Sequence, residues 1–212
     1  GNKSWMDWPQ PCKLREPEAL AAIGCRLEDK VAFEKFMQYV FFEQWGELHD
    51  YARVKGIRIL GDMPIFLSQD SADVWTHQEL FQLDASGYPR KVAGVPPDYF
   101  SKTGQLWGNP QYDWQAMKAE DYAWWKKRFR HLFTMVDIVR IDHFRGFEAY
   151  WEIDGHAKTA VDGRWVKGPG REFFKAIESE LGQMPIVAED LGVITDAVEE
   201  LRDACSYPGM KV

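Results

Sequence analysis

The feature that most constrains this chain is an alternation of helical patterns with short β-branched runs, three of which end in a carboxylate. Residues 31–55 read as one long helix, with Phe33, Phe36, Met37, Val40, Phe41, Trp45 and Leu48 recurring at steps of three or four and Gly56 as its stop. Residues 57–62 read as a strand ending at Asp62. A helix over 121–135 leads to a strand over 136–142 that ends at Asp142. A helix over 170–182 leads to a strand over 185–189 that ends at Glu189. A last helix over 195–205, with Thr195 as its N-cap, precedes the opening of a further strand at 208–212. Residues 1–30, 63–120 and 143–168 show no sustained period and read as irregular. Excursions that long inside a compact domain are usually functional.

Helix–strand alternation implies parallel strands joined by helical crossovers. A doubly wound open sheet and a (β/α)8 barrel both satisfy it. No GxGxxG or GxxxxGK[ST] is present, which removes the usual nucleotide reasons for an open sheet. Acids at three strand ends match the place where barrels carry catalytic groups. The expected fold is therefore α/β, part of a (β/α)8 TIM barrel with three to four central strands, crossover helices and long active-site loops. A complete barrel takes roughly 250 residues. The 212 residues are thus expected to form one partial catalytic domain, 1–212, lacking early and late strands and carrying 63–120 as a long loop insertion. Such an open piece is expected to be inactive alone and to self-associate through exposed sheet edges and apolar faces.

Charge and cysteine usage narrow the partners. Thirty-three acidic against 26 basic residues give a net charge of −7, which disfavours a phosphate backbone, so nucleic acid is not expected. No apolar run approaches the length of a membrane span. No signal peptide is expected at the start of the chain, where Gly1-Asn2-Lys3 could include a cloning remnant. Cys12, Cys25 and Cys205 make an odd set without CxxC spacing, as for reduced thiols in a cytoplasmic protein. The five histidines lack paired ligand spacing, and Asp70, Asp73 and Asp84 read as turn and cap residues, so neither metal nor organic cofactor is expected. His49 and His131 read as surface positions on helices. Trp124 and Trp125 read as helix packing.

The strand ends carry the chemistry. Alternation puts Arg140 and Asp142 on one face of their strand, where the guanidinium favours an ionised carboxylate, as a nucleophile needs. A structural ion pair is the equal alternative. Glu189 follows the apolar run 185–188, and a carboxyl at an apolar rim tends to keep its proton. The alternative is that Glu189-Asp190 opens a solvated loop. Two carboxyls with divided roles at neighbouring strand ends are what glycosidic cleavage uses.

Four blocks then become specific. Residues 61–66 (GDMPIF) with 70–75 (DSADVW), 94–110 (GVPPDYFSKTGQLWGNP), 139–147 (VRIDHFRGF) and 187–195 (VAEDLGVIT) together resemble, in order, the amylomaltase (disproportionating enzyme) family of 4-α-glucanotransferases, glycoside hydrolase family 77, related to the α-amylases. The resemblance covers nearly all of 57–212. It implies Asp142 as nucleophile, Glu189 as acid/base and Arg140 as support of the nucleophile. It implies Asp62 and His143 at the sugar subsite beside the scissile bond, and Asp98, Tyr99, Trp107 and Asn109 on a marker loop that touches the glucan. The implied reaction is retaining transfer of an α-1,4-glucan segment, through a glycosyl-Asp intermediate, to the 4-hydroxyl of a maltooligosaccharide or other α-1,4-glucan. A third carboxylate of that chemistry would lie beyond Val212. An α-glucan hydrolase on the same barrel and a non-catalytic carbohydrate-binding piece are the rival readings.

Overall fold

A computed structural model describes residues 3–211. Gly1 and Asn2, and Val212 at the end of the expected further strand, lie outside the described residues. The chain divides into two compact units, Gly1–Ile59 and Leu60–Val212.

The first unit is helical: α1 (Gln10–Lys13), α2 (Pro17–Arg26) and α3 (Glu28–Val54). Helices in 1–30 correct the expectation of an irregular start. Pro17 stands at the first turn of α2, where its missing N–H is an orphan anyway, and Glu18, Ala19, Leu20, Ala21 and Ala22 are strong helix formers. The long helix forms as its periodicity requires. Phe33, Phe36, Met37, Phe41 and Leu48 on it are nevertheless exposed, while His49, expected at the surface, is buried.

The second unit runs β1 (Leu60–Pro64), α4 (Ala72–Thr76), β2 (Lys91–Val95), β3 (Gln105–Pro110), α5 (Trp114–Ala119), α6 (Ala123–Phe133), β4 (Ile138–Asp142), β5 (Ala149–Asp154), β6 (Arg164–Lys167), α7 (Gly170–Leu181), β7 (Ile186–Ala188) and α8 (Asp196–Ala204). Its first sheet is parallel, in the order β1-β4-β7. Gly209 adds a parallel bridge to Ala188, where a further strand was expected to open. Met63, Val139, Ile141, Ile186 and Ala188 fill the buried face of this sheet. An aromatic cluster lies deep in this unit, with Trp125, Phe129, Phe147, Phe173 and Phe174 fully buried and Phe147 and Phe173 centroids 4.8 Å apart. Each such ring stabilises the fold by about 1.5–3 kcal/mol through removal from water. Trp124 and Trp125 belong to this packing, as the helical pattern implied.

The second sheet is antiparallel, in the order β3-β2-β5-β6. It occupies parts of 63–120 and 143–168, which carry no periodic signal in the sequence. The reason is local. A register shift between Val92 and Gly94 interrupts alternation in β2, and the first four residues of β3 are exposed. Gly94 lies so close to β3 that a Cβ would collide with the Gln105 carbonyl oxygen.

Candidate active site

The parallel sheet brings the strand-end acids to one level. Asp62 pairs with Arg140 and Pro64 with Asp142, while Ile141 pairs with Ala188, so Glu189 follows beside Asp142. Alternation sends Met63, Ile141 and Ala188 to the buried face and Asp62, Arg140 and Asp142 to the opposite one. There Arg140 Nη2 donates to Asp62 Oδ2 at 2.7 Å and lies 3.1 Å from Asp142 Oδ1. Its hydrogen bond to Asp62, with smaller contributions from the charges of Asp142 and Glu189, holds the guanidinium even more firmly protonated than usual. One fixed cation thus serves two carboxylates and feels the third.

Glu189 is tied to the residue after Asp142. Its Oε2 accepts the His143 N–H at 2.9 Å and its Oε1 accepts the Leu191 N–H at 3.0 Å. Main-chain bonds from Glu189 N–H to the Ile141 carbonyl (3.0 Å) and from Phe144 N–H to the Glu189 carbonyl (3.2 Å) clip the same two segments together. Each Glu189 oxygen keeps a second lone-pair direction on which a proton can be carried or taken up. Glu189 is half-buried rather than immersed in an apolar rim. Nor does Asp190 open a solvated loop. It is bound by Arg202 at 2.6 Å and by the Met210 N–H at 2.8 Å. Burial alone would raise the Asp190 carboxyl, but these donors outweigh it and hold it below the usual carboxylate range.

His143 sits in left-handed backbone (φ 51°, ψ 48°), which turns its N–H toward Glu189. Burial, aided by the nearby charge of Arg145, pushes the imidazole down to about 4, so it is neutral at pH 7. Its Nε2 is buried and has no hydrogen-bond partner among the described residues. The ring meets Trp107 edge-on at 4.9 Å and lies 6.2 Å from Phe66. Trp107 comes from β3, so the antiparallel sheet delivers an apolar wall to the end of the parallel one.

The other marker-loop residues behave differently. Asp98 Oδ1 accepts the N–H groups of Phe100 and Ser101, at 2.9 and 2.7 Å, and so shapes its own loop. Asn109 donates to the Leu67 carbonyl at 2.8 Å. Tyr99 and Phe100 project into solvent, 96% and 93% exposed. The structure therefore gathers Asp62, Arg140, Asp142, His143, Glu189 and Trp107, while Asp98 and Asn109 are engaged with main chain and Tyr99 faces solvent. Phe66, buried beside His143 and Trp107, was missed in the sequence. Only its place in the block 61–66 could have signalled it. Among the described residues no group of three or more His, Cys, Asp or Glu side chains converges to hold a metal ion.

The 4-alpha-glucanotransferase family model matches residues 1–212. A 4-alpha-glucanotransferase of Thermus thermophilus is 53% identical over 212 residues, covering all of this chain and 42% of the relative. A chloroplastic/amyloplastic 4-alpha-glucanotransferase of Arabidopsis thaliana is 47% identical over 209 residues, covering 99% of this chain and 36% of the relative. The amylomaltase of Streptococcus agalactiae, solved with acarbose, superposes with a TM-score of 0.96 at 47% identity, over 100% of this chain and 43% of that one. The amylomaltase of Corynebacterium glutamicum, at 19% identity and a TM-score of 0.74, shares the fold over 86% of this chain and 25% of its own. The chain spans about two fifths of the length of most of these relatives. With the α/β architecture, the parallel strands and the clustered acids already described, these matches place the chain in the 4-alpha-glucanotransferase family, glycoside hydrolase family 77.

Proposed function

We propose that the full-length protein containing this segment is a retaining 4-α-glucanotransferase, with Asp142 as nucleophile and Glu189 as acid/base. The observation that carries this is the shared cation. Arg140 bonds Asp62 and Asp142, while Glu189 grips the N–H of the next residue, His143. Asp142, held by Arg140, attacks the anomeric carbon as Glu189 protonates the departing 4-oxygen. Glu189 then takes the proton of an acceptor 4-hydroxyl as that oxygen displaces Asp142. Neutral His143, with an unpartnered Nε2, offers a donor or an acceptor to a sugar hydroxyl. Trp107 and Phe66 exclude water around it, which favours transfer over hydrolysis. Asp98, Tyr99 and Asn109 belong to a loop margin that binds the more distant glucan units. The acarbose complex of the Streptococcus agalactiae amylomaltase supports an α-glucan as ligand.

Incubation of the full-length protein with maltotriose tests this. Glucose plus longer glucans are expected from a transferase. Chain shortening alone, as a hydrolase gives, would refute it. The unit Leu60–Val212, with its parallel strands, is read as part of a barrel domain that needs the remainder of the protein for activity. Exposed Phe33, Phe36 and Phe41 on α3 support self-association of the isolated 212-residue segment, and a monomer in sedimentation would remove that proposal. Cys12, Cys25 and Cys205, none of them in a disulfide among the described residues, support a reducing compartment such as the cytoplasm. No described helix is long and apolar enough to cross a membrane.

A further inference from the structure

The carboxylate of Glu189 is held by two main-chain donors on two separate segments. The His143 N–H opens the 3₁₀ turn Phe144–Phe147, and the Leu191 N–H lies in the loop that leads to α8. One side chain ties these segments together. Arg145, within the 3₁₀ turn, donates from Nη1 to the carbonyl of Val193 in that loop. Its guanidinium lies 3.9 Å from the centroid of Trp165 on β6. Arg145 and Trp165 line a cavity of about 220 Å³ together with Glu148, Val193 and Thr195.

Arg145 is an unusual choice for mere packing. It is 6% exposed, forms no ion pair among the described residues, and leaves its Nε buried without a partner. Glu148, which lines the same cavity, favours the charge from a distance without forming an ion pair, and burial still lowers the guanidinium's hold on its proton. The retained contacts of Arg145, one carbonyl and one indole face, fix the distance between the 3₁₀ turn and the 190s loop.

We propose that Arg145 is a positioning residue for Glu189: by joining the turn that carries His143 to the loop that carries Leu191, it keeps the two N–H donors at the spacing that aims the acid/base carboxyl. This rests on the assignment of Glu189 as acid/base. Lysine cannot replace it, because a point charge on a flexible stem does not both stack on Trp165 and reach the Val193 carbonyl in a fixed plane.

The test compares two donors on the full-length protein. Maltotriose needs a proton on its leaving oxygen, whereas α-maltosyl fluoride releases fluoride without one. Arg145→Lys and Arg145→Ala are expected to lower kcat on maltotriose about 10–100-fold, with KM within about threefold. First-turnover fluoride release should stay within about threefold of the unmodified protein. Equal losses on both donors, or no loss on maltotriose, would overturn the proposal. Glu189→Gln serves as reference and should show the same division between donors at larger amplitude. If it does not, the acid/base assignment itself fails and the proposal with it. Should Arg145→Ala not fold, Arg145→Lys and Trp165→Leu, which uncovers the guanidinium without removing it, decide the question by the same donor ratio.

Discussion

The strand-end residues and the hairpin residues of this site are held in opposite ways. Asp62, Arg140 and Asp142 bond one another across neighbouring strands, so their chemistry and their scaffold are the same contacts. Asp98 spends its carboxylate on the main chain of its own loop, Asn109 donates to the Leu67 carbonyl after β1, and the exposed Tyr99 meets Phe100 edge-on. Polar groups that hold each other over a rigid sheet are suited to reacting centres, which tolerate little misplacement. A loop that shapes itself and leaves its aromatics in water is suited to gripping a long, variable ligand. Substitution at the strand ends should therefore alter the chemical step, and substitution in the hairpin should alter binding or folding.

The largest expected effect is at the nucleophile. Asp142→Asn in the full-length protein should lower kcat by about four orders of magnitude or more, with maltooligosaccharide binding retained in calorimetry. Arg140→Ala comes next. It leaves two carboxylates facing each other without their cation, and kcat should fall about 100-fold. A change confined to KM in either variant would erase the distinction between the two regions.

His143 sits where the regions meet, between a strand end and Trp107. Its folded value is lowered from 6.5 to about 4, so between those pH values the unfolded chain binds a proton that the folded chain excludes. The stabilisation is fully present above about pH 6.5 and is lost as pH falls toward 4, an effect of roughly 3 kcal/mol. Urea unfolding at pH 7 and pH 4.5 would reveal it, and His143→Asn should flatten that slope. Smaller again is Asn109→Ala, which should cost about 1 kcal/mol by losing the bond to the Leu67 carbonyl, with kcat nearly unchanged. The smallest is Tyr99→Ala. At 96% exposure its effect on stability should stay within about 0.5 kcal/mol, while KM for long glucans rises several-fold. A fall in kcat without change in KM would instead assign Tyr99 to the chemistry.

Legibility in the sequence followed the same division. The parallel strands showed themselves because each is a short run rich in Ile, Val or Leu that ends in an acid, and the acids were visible as those endings. Alternation alone placed Arg140 beside Asp142. It did not show that Arg140 also bonds Asp62, because that contact spans 78 positions and depends on strand order. The antiparallel sheet escaped notice because the first four residues of β3 are exposed and a register shift interrupts the alternation of β2. Phe66, Arg145 and Asp190 escaped for a related reason. Each acts through a partner remote in sequence, His143, Val193 or Arg202 and Met210, and nothing local distinguishes them from ordinary core or loop residues.

The guanidinium shared between β1 and β4 also bears on how the molecule matures. Sliding β1 by a single residue against β4 would turn Asp62 toward the helix-packed side and take it away from Arg140. A newly made chain that zips in the wrong alignment therefore buries an acid and leaves its reactive centre unassembled at one stroke. Such a product is both less stable and without its carboxylate cluster, so correct folding and assembly of the site depend on one contact.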